Sequence, residues 1–162
     1  MQLLTLRSAA TIAAIIATAA CNPFHKNANE IQRADIPVGE RWNATLATPS
    51  TLAGAVQIKG TGYLARGDSP GTSKVVIHTS NATEGGVHPW QLRSGPCGSD
   101  SPIVGDQSAY PDLRVDKDGT AQGGANLSLP FPTTGQYSIQ VLASPSNTGT
   151  VIACGNLAPP VQ

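Results

Sequence analysis

Three histidines (His25, His78, His88), three cysteines (Cys21, Cys97, Cys154) and one run of alternating carboxylates (Asp116-Lys117-Asp118-Gly119) are the side chains of this sequence with the most chemistry in them. Imidazole and thiolate are the usual protein ligands of zinc and copper, so the question is whether a fold gathers them. His25 lies far upstream, whereas the pattern puts His78 and His88 on neighbouring strands, where a two-histidine site is possible. The blander reading is a pair of hydrogen-bonded structural histidines. Asp116-Lys117-Asp118-Gly119 has carboxylates ahead of a glycine but lacks the further ligands and the bidentate glutamate of a calcium loop, and reads as a hairpin turn. Met1 is the sole methionine, which leaves a processed chain without the soft thioether ligands of a copper carrier.

The elements that must position these groups are short strands. Charged residues make up only 12% of the 162 residues, against roughly 25% in ordinary globular proteins, while 17 glycines and 13 prolines are spread along the chain. That length supports one buried core, and that composition favours a loop-rich all-β domain over helices. The folded part begins near Trp42. From there, eight short runs alternate between turn signals: Ala53–Lys59, Gly62–Ala65, Lys74–His78, Val87–Leu92, Leu113–Val115, Ala125–Leu129, Tyr137–Leu142 and Thr150–Cys154. Near-regular spacing of such runs predicts an antiparallel sandwich or flattened Greek-key barrel of about eight strands.

Residues 1–20 read as an export signal, with Arg7 in the positive segment and an uninterrupted small or apolar run over Ser8–Ala20. This run is shorter than the roughly 20 residues that span a bilayer. Ala17-Thr18-Ala19 fits signal-peptidase cleavage, whereas Thr18-Ala19-Ala20-Cys21 resembles a bacterial lipobox with Thr where Leu is commoner. The second reading puts a lipid on Cys21 and the protein on a membrane of the bacterial cell envelope; the alternatives are a free thiol or an intermolecular disulfide. Residues 21–41 are polar, with Asn22, Lys26, Asn27, Asn29 and Gln32, and read as a tether to a domain over 42–162. Removing Arg7 with the signal leaves nine Lys and Arg against ten Asp and Glu, a net charge of −1 that argues against nucleic acid as a partner. In that bacterial context the sequons at Asn43, Asn81 and Asn126 are incidental.

Gly86-Val87-His88-Pro89-Trp90-Gln91-Leu92-Arg93, then Cys97-Gly98 and, far downstream, Ile152-Ala153-Cys154-Gly155, resemble the frame of copper/zinc superoxide dismutases over about Ala44 to Leu157. In that family a Gly-x-His-Gly-Phe-His-x-His strand presents two copper-binding imidazoles, and a cysteine soon after it pairs with the cysteine of a late Ala-Cys-Gly segment. The resemblance therefore implies a superoxide dismutase-like Greek-key domain with a Cys97–Cys154 disulfide, which leaves Cys21 as the odd cysteine. It also implies a structural role for His88 and a core position for Trp90, beside Pro89 where the family has Gly-Phe.

The departures all fall on the chemistry. The copper-ligand positions align with Gln91, Arg93 and Leu142, the active-site arginine with Val151, and the zinc aspartate near Ala109; residues 98–115 contain no histidine where the family has its bridging and zinc ligands. An amide oxygen coordinates weakly, a guanidinium stays protonated and repels a cation, and leucine has no donor atom. The near-neutral chain also lacks the overall field that would steer an anionic substrate. The expectation is an exported, lipid-anchored, superoxide dismutase-like protein without the copper/zinc site. It would have no cofactor and no catalytic residues, and would act as a non-catalytic binding or structural module for an unidentified protein or small molecule. The alternative is a divergent superoxide dismutase whose atypical copper site recruits His78 and His88.

Overall fold

The computed structural model describes residues 40–55 and 57–160. Nine strands occur among them: β1 (Trp42–Ala47), β2 (Lys59–Arg66), β3 (Ser73–Ser80), β4 (Val87–His88), β5 (Trp90–Ser94), β6 (Leu113–Arg114), β7 (Ala121–Leu127), β8 (Tyr137–Ser144) and β9 (Asn147–Asn156). Seven form one antiparallel sheet in the order β5-β8-β9-β1-β2-β3-β7, and β4 pairs with β6 in a small second sheet. One apolar cluster takes side chains from both edges of the large sheet, Trp90 and Leu92 of β5 with Ala121, Ala125 and Leu127 of β7. Strands at opposite edges meet in one core only if the sheet curls, so the architecture is a half-barrel wrapped around its own inner face.

The inner face follows from two-residue periodicity. In β1, Trp42, Ala44 and Leu46 are buried while Asn43, Thr45 and Ala47 turn outward. In β5, Trp90 and Leu92 enter the core, and Gln91 and Arg93 take the other face. Trp90 is fully buried as expected; its indole lies so close to Gly123 that a Cβ there would sit 3.0 Å from Nε1 and 2.7 Å from Leu113 Cδ2.

Several predicted elements are corrected. The run Ala53–Lys59 is not a strand: a short 3-10 helix spans Ser50–Leu52, and Gly54 at φ +97° turns the chain before β2 starts at Lys59. The strand before it, β1, was not among the predicted runs and makes up for the one lost; the ninth strand among the described residues comes from the division of the Val87–Leu92 run. Val87–Leu92 is divided at Pro89, which has no N–H for a ladder, so its two parts pair with β6 and β8 in different sheets. The Ala125–Leu129 run moves upstream to Ala121–Leu127, the stretch in register with β3. Asp116–Gly119 is a tight turn, with the Gly119 N–H donating to the Asp116 carbonyl (3.0 Å) and Gly119 at φ +76°. With the Asp116 N–H donating to the Thr120 carbonyl (2.8 Å), it closes as the hairpin turn expected, between β6 and β7, although these strands then pair in different sheets. Asp118 accepts from the Thr120 hydroxyl and N–H, which hold its carboxyl below the usual carboxylate range. The signal, residues 21–39 of the tether, Cys21 and His25 lie outside the described residues.

Candidate functional site

The outer face of β5, β8 and β9 carries the residues on which the sequence reading placed the chemistry. Cross-strand register puts Gln91, Gln140 and Cys154 in one row and Arg93, Ser138 and Asn156 in the next; Leu142 lies opposite Val151 beyond a register shift. Gln91, Ser138, Gln140 and Leu142 are all buried, although this face points away from the apolar core. A layer of polar groups is shut in there because the chain between β5 and β6 lies over it.

That covering segment is attached at four points. Cys97 is disulfide-bonded to Cys154, and the Cys97 N–H donates to Asn156 Oδ1 at 2.7 Å. Backbone bonds add a short antiparallel stretch to the free edge of β5: Ser94 N–H to the Pro102 carbonyl (3.0 Å) and Val104 N–H to the Leu92 carbonyl (2.9 Å), with a bridge between Arg93 and Ile103. Tyr110 packs edge-on against Trp90 with ring centroids 5.2 Å apart, and burial pushes its phenol well above its usual pKa. Trp90 Nε1 donates to the Pro111 carbonyl at 2.8 Å.

The fourth point is Arg93. Its guanidinium donates to the Ser101 carbonyl, stands 3.6 Å from Asp100, and donates through Nε and Nη2 to the Gln91 side-chain oxygen, both at 2.9 Å, while the Gln91 amide nitrogen donates to Gln107 Oε1 at 3.1 Å. This is the orientation of the Gln91 amide in which both ends meet a partner of opposite sense. The two positions that the resemblance aligns with copper ligands thus bond each other and the covering segment. A protonated guanidinium in their midst disfavours a cation on electrostatic grounds, and Leu142 supplies no donor atom, so these residues do not fit a copper ion. Among the described residues, the Ser138 hydroxyl is the buried side-chain polar atom without a hydrogen-bond partner. A single neutral hydroxyl is a poor ligand for copper.

Replacing Arg93 by methionine is expected to lower unfolding free energy by about 1.5–3 kcal/mol, the range for losing hydrogen bonds from a charged donor while the buried Gln91 oxygen loses its partner. The exposed Asp100 carboxylate adds little to this figure. Urea denaturation followed by circular dichroism gives the number, and an unchanged midpoint would mean that the disulfide and backbone bonds hold the segment unaided.

His88 donates from Nδ1 to the carbonyls of Ala143 (2.8 Å) and Leu142 (3.2 Å), since a carbonyl can only accept. That places β4 against β8 and makes the ring a structural strut, with Nδ1 occupied. His78 lies elsewhere, on β3 between Thr61 of β2 and Gln122 of β7. The expectation that the two histidines share neighbouring strands is corrected: β3 pairs with β2 and β7, and β4 pairs with β6. Ala109 lies in a 3-10 turn, Gln107–Ala109, capped by the Asp106 carboxylate. Among the described residues no three His, Cys, Asp or Glu side chains gather as a metal-binding group. The sequence reading missed Gln107 and Ser101; neither residue type nor spacing marks a loop glutamine as the partner of a buried strand glutamine. No protein-family model matches this chain, and no curated protein is significantly similar to it.

Proposed function

We propose that this chain is an exported, lipid-anchored domain of the bacterial cell envelope, with a superoxide dismutase-like Greek-key scaffold and no copper/zinc chemistry, that works as a non-catalytic binding or structural module. One observation carries the reading: Gln91 and Arg93 are spent on each other and on the segment that covers them. Dismutation requires a redox metal held by several imidazoles with an open position, and Gln91, Arg93, Leu142 and Val151 cannot supply that set.

The strand order supports the scaffold half of the proposal. β3 reaches β7 and β5 reaches β8 across intervening strands, while β9 returns beside β1, connections of the Greek-key kind. The Cys97–Cys154 disulfide ties the segment after β5 to the last strand, where the resemblance implies it. The test is superoxide dismutation by the purified full-length protein after incubation with copper and zinc. Activity no greater than that of free copper removed by chelation is expected; chelator-resistant turnover would favour the divergent dismutase.

A further inference from the structure

The outer face of β2 and β3 carries an apolar cluster separate from the core. Tyr63 and Ala65 of β2 and Val76 of β3 form it, pointing away from Leu64, Val75 and Ile77, which lie in the core. All three are buried, at 7%, 0% and 8% exposure, although the second face of an antiparallel sheet is ordinarily solvated. The strand neighbours of Val76 do not account for its burial: it stands between Tyr63 of β2 and Gly124 of β7, and a glycine has no side chain to shelter it. The β2–β3 turn is closed on itself, with the Gly67 N–H donating to the Thr72 carbonyl (2.9 Å), and its residues Asp68 to Gly71 are exposed. The Arg41 guanidinium lies over the Tyr63 ring, 4.6 Å from its centroid, and burial raises the Tyr63 phenol above its ordinary pKa against the opposing pull of that charge. Asn43, Tyr63 and His78 on the same face all have interaction partners, so it is not a bare surface.

We propose that Ile36-Pro37-Val38 of this same chain closes over Tyr63, Ala65 and Val76, so that the last part of the tether belongs to the domain. The described residues start at Glu40, next to the Arg41 that already lies on Tyr63. Residue 36 comes four residues before Glu40 and can reach about 14 Å from it. The distance from β1 across β2 to β3 is about 10 Å, so the apolar stretch is long enough to cross the patch. Gly39 gives the backbone the freedom to turn back onto the sheet. β1 is paired on both sides, by β2 and β9, and Pro37 lacks an N–H, so this stretch suits a cover and not a further strand. Charge agrees: Lys74, opposite Ala65, is buried with its ammonium 3.8 Å from an exposed Asp68 carboxylate, and Asp35 offers a second carboxylate beside the apolar stretch. Three side chains fall far short of the roughly 800 Å² per partner that a stable interface buries, which disfavours a second copy as the cover. Only the consequence rests on the lipid anchor of the proposed function: the free tether shortens to residues 22–35, and the Arg93-covered face, on the other half of the sheet, is held on the side away from the membrane.

Methyl NOE spectroscopy of the full-length protein reads the contact directly. Urea unfolding of Ile36→Ala/Val38→Ala, of Val76→Ala and of their combination measures its strength, with Asn29→Ala as the tether control. Cross-peaks from the Ile36 or Val38 methyls to the Tyr63 ring or the Val76 methyls are expected. The Ile36→Ala/Val38→Ala pair should lower the folding equilibrium constant at least about tenfold, since burial of two or three methyl-sized groups is worth that factor, while Asn29→Ala leaves it unchanged. The pair should cost less in the Val76→Ala background, where its partner is already truncated. Absent cross-peaks, a pair variant as stable as wild type, or strict additivity with Val76→Ala would overturn the proposal. So would a wild-type unfolding midpoint that rises with protein concentration, which would assign the patch to a second copy. If Val76→Ala does not fold, the wild-type cross-peaks still decide. Mass spectrometry of Cys21 in the same sample separates the two readings: an unmodified Cys21 with the cross-peaks present removes the anchor and leaves the docked segment.

Discussion

Trp90→Ala should cost this domain about 3–5 kcal/mol from the vacated core alone. Trp90 is completely buried, abuts Gly123 and Leu113, meets Tyr110 edge-on, and gives its indole N–H to the Pro111 carbonyl. Truncation to alanine also leaves that carbonyl without its donor, adding about 1 kcal/mol. Since small domains are stable by only about 5–15 kcal/mol in all, the variant should sit near the edge of folding. Phe at the same position keeps much of the apolar volume and loses the hydrogen bond, so it should fall between alanine and wild type. Urea unfolding followed by circular dichroism measures both; an alanine variant within 1 kcal/mol of wild type would contradict the packing of β5 against β7 described above.

Losing the Cys97–Cys154 disulfide is expected to have an effect of similar size by a different route. The crosslink joins residues 57 apart, and the chain-entropy estimate for a loop of that length is about 4 kcal/mol, taken from the unfolded ensemble and not from native contacts. Cys97→Ser, Cys154→Ser and the reduced wild-type protein should therefore lose nearly the same stability. The loss should be local as well as global: with the crosslink gone, the segment after β5 keeps the Cys97 N–H bond to Asn156, the Arg93 cluster, the backbone bonds to β5 and the Tyr110 and Trp90 contacts. Proteolysis should then cut first within residues 98–108. Reduced and oxidised protein with equal denaturation midpoints and equal cleavage patterns would show that the crosslink adds nothing to this fold.

These two contacts, the indole in the core and the disulfide across the outer face, were legible in the sequence to different degrees. The core position of Trp90 came from the resemblance, and the alternation of Trp90-Gln91-Leu92-Arg93 agrees with it. The cysteine pairing came from the resemblance, because three cysteines by themselves leave the partner open. Strand β1 was also present as a pattern, with Trp42, Ala44 and Leu46 alternating with Asn43, Thr45 and Ala47, but two of its six residues are alanines facing opposite sides, which blurs the contrast between faces. The run at Ala53–Lys59 misled because a glycine at positive φ is invisible to hydropathy.

The candidate site was less legible than the scaffold. Loss of the imidazoles at Gln91, Arg93 and Leu142 could be read from residue types alone, since their chemistry does not depend on where they lie. What replaced them could not. The Gln91–Arg93–Gln107 arrangement depends on how the segment after β5 lies back over its own strand, and loop paths leave no periodic trace. His78 and His88 went astray for a related reason: sequential strands usually neighbour one another, but here β3 is followed by a chain that crosses to the small sheet, and β7 takes the place beside it.

The direct test of the central claim, that this scaffold holds no copper/zinc centre, is equilibrium dialysis of the full-length protein against copper and zinc with the bound metal quantified per chain. The account predicts well under one equivalent of either metal, unchanged in His88→Ala and His78→Ala variants. One copper per chain that survives dialysis and disappears in either variant would contradict it, and would place a metal centre at the histidine whose loss releases the copper.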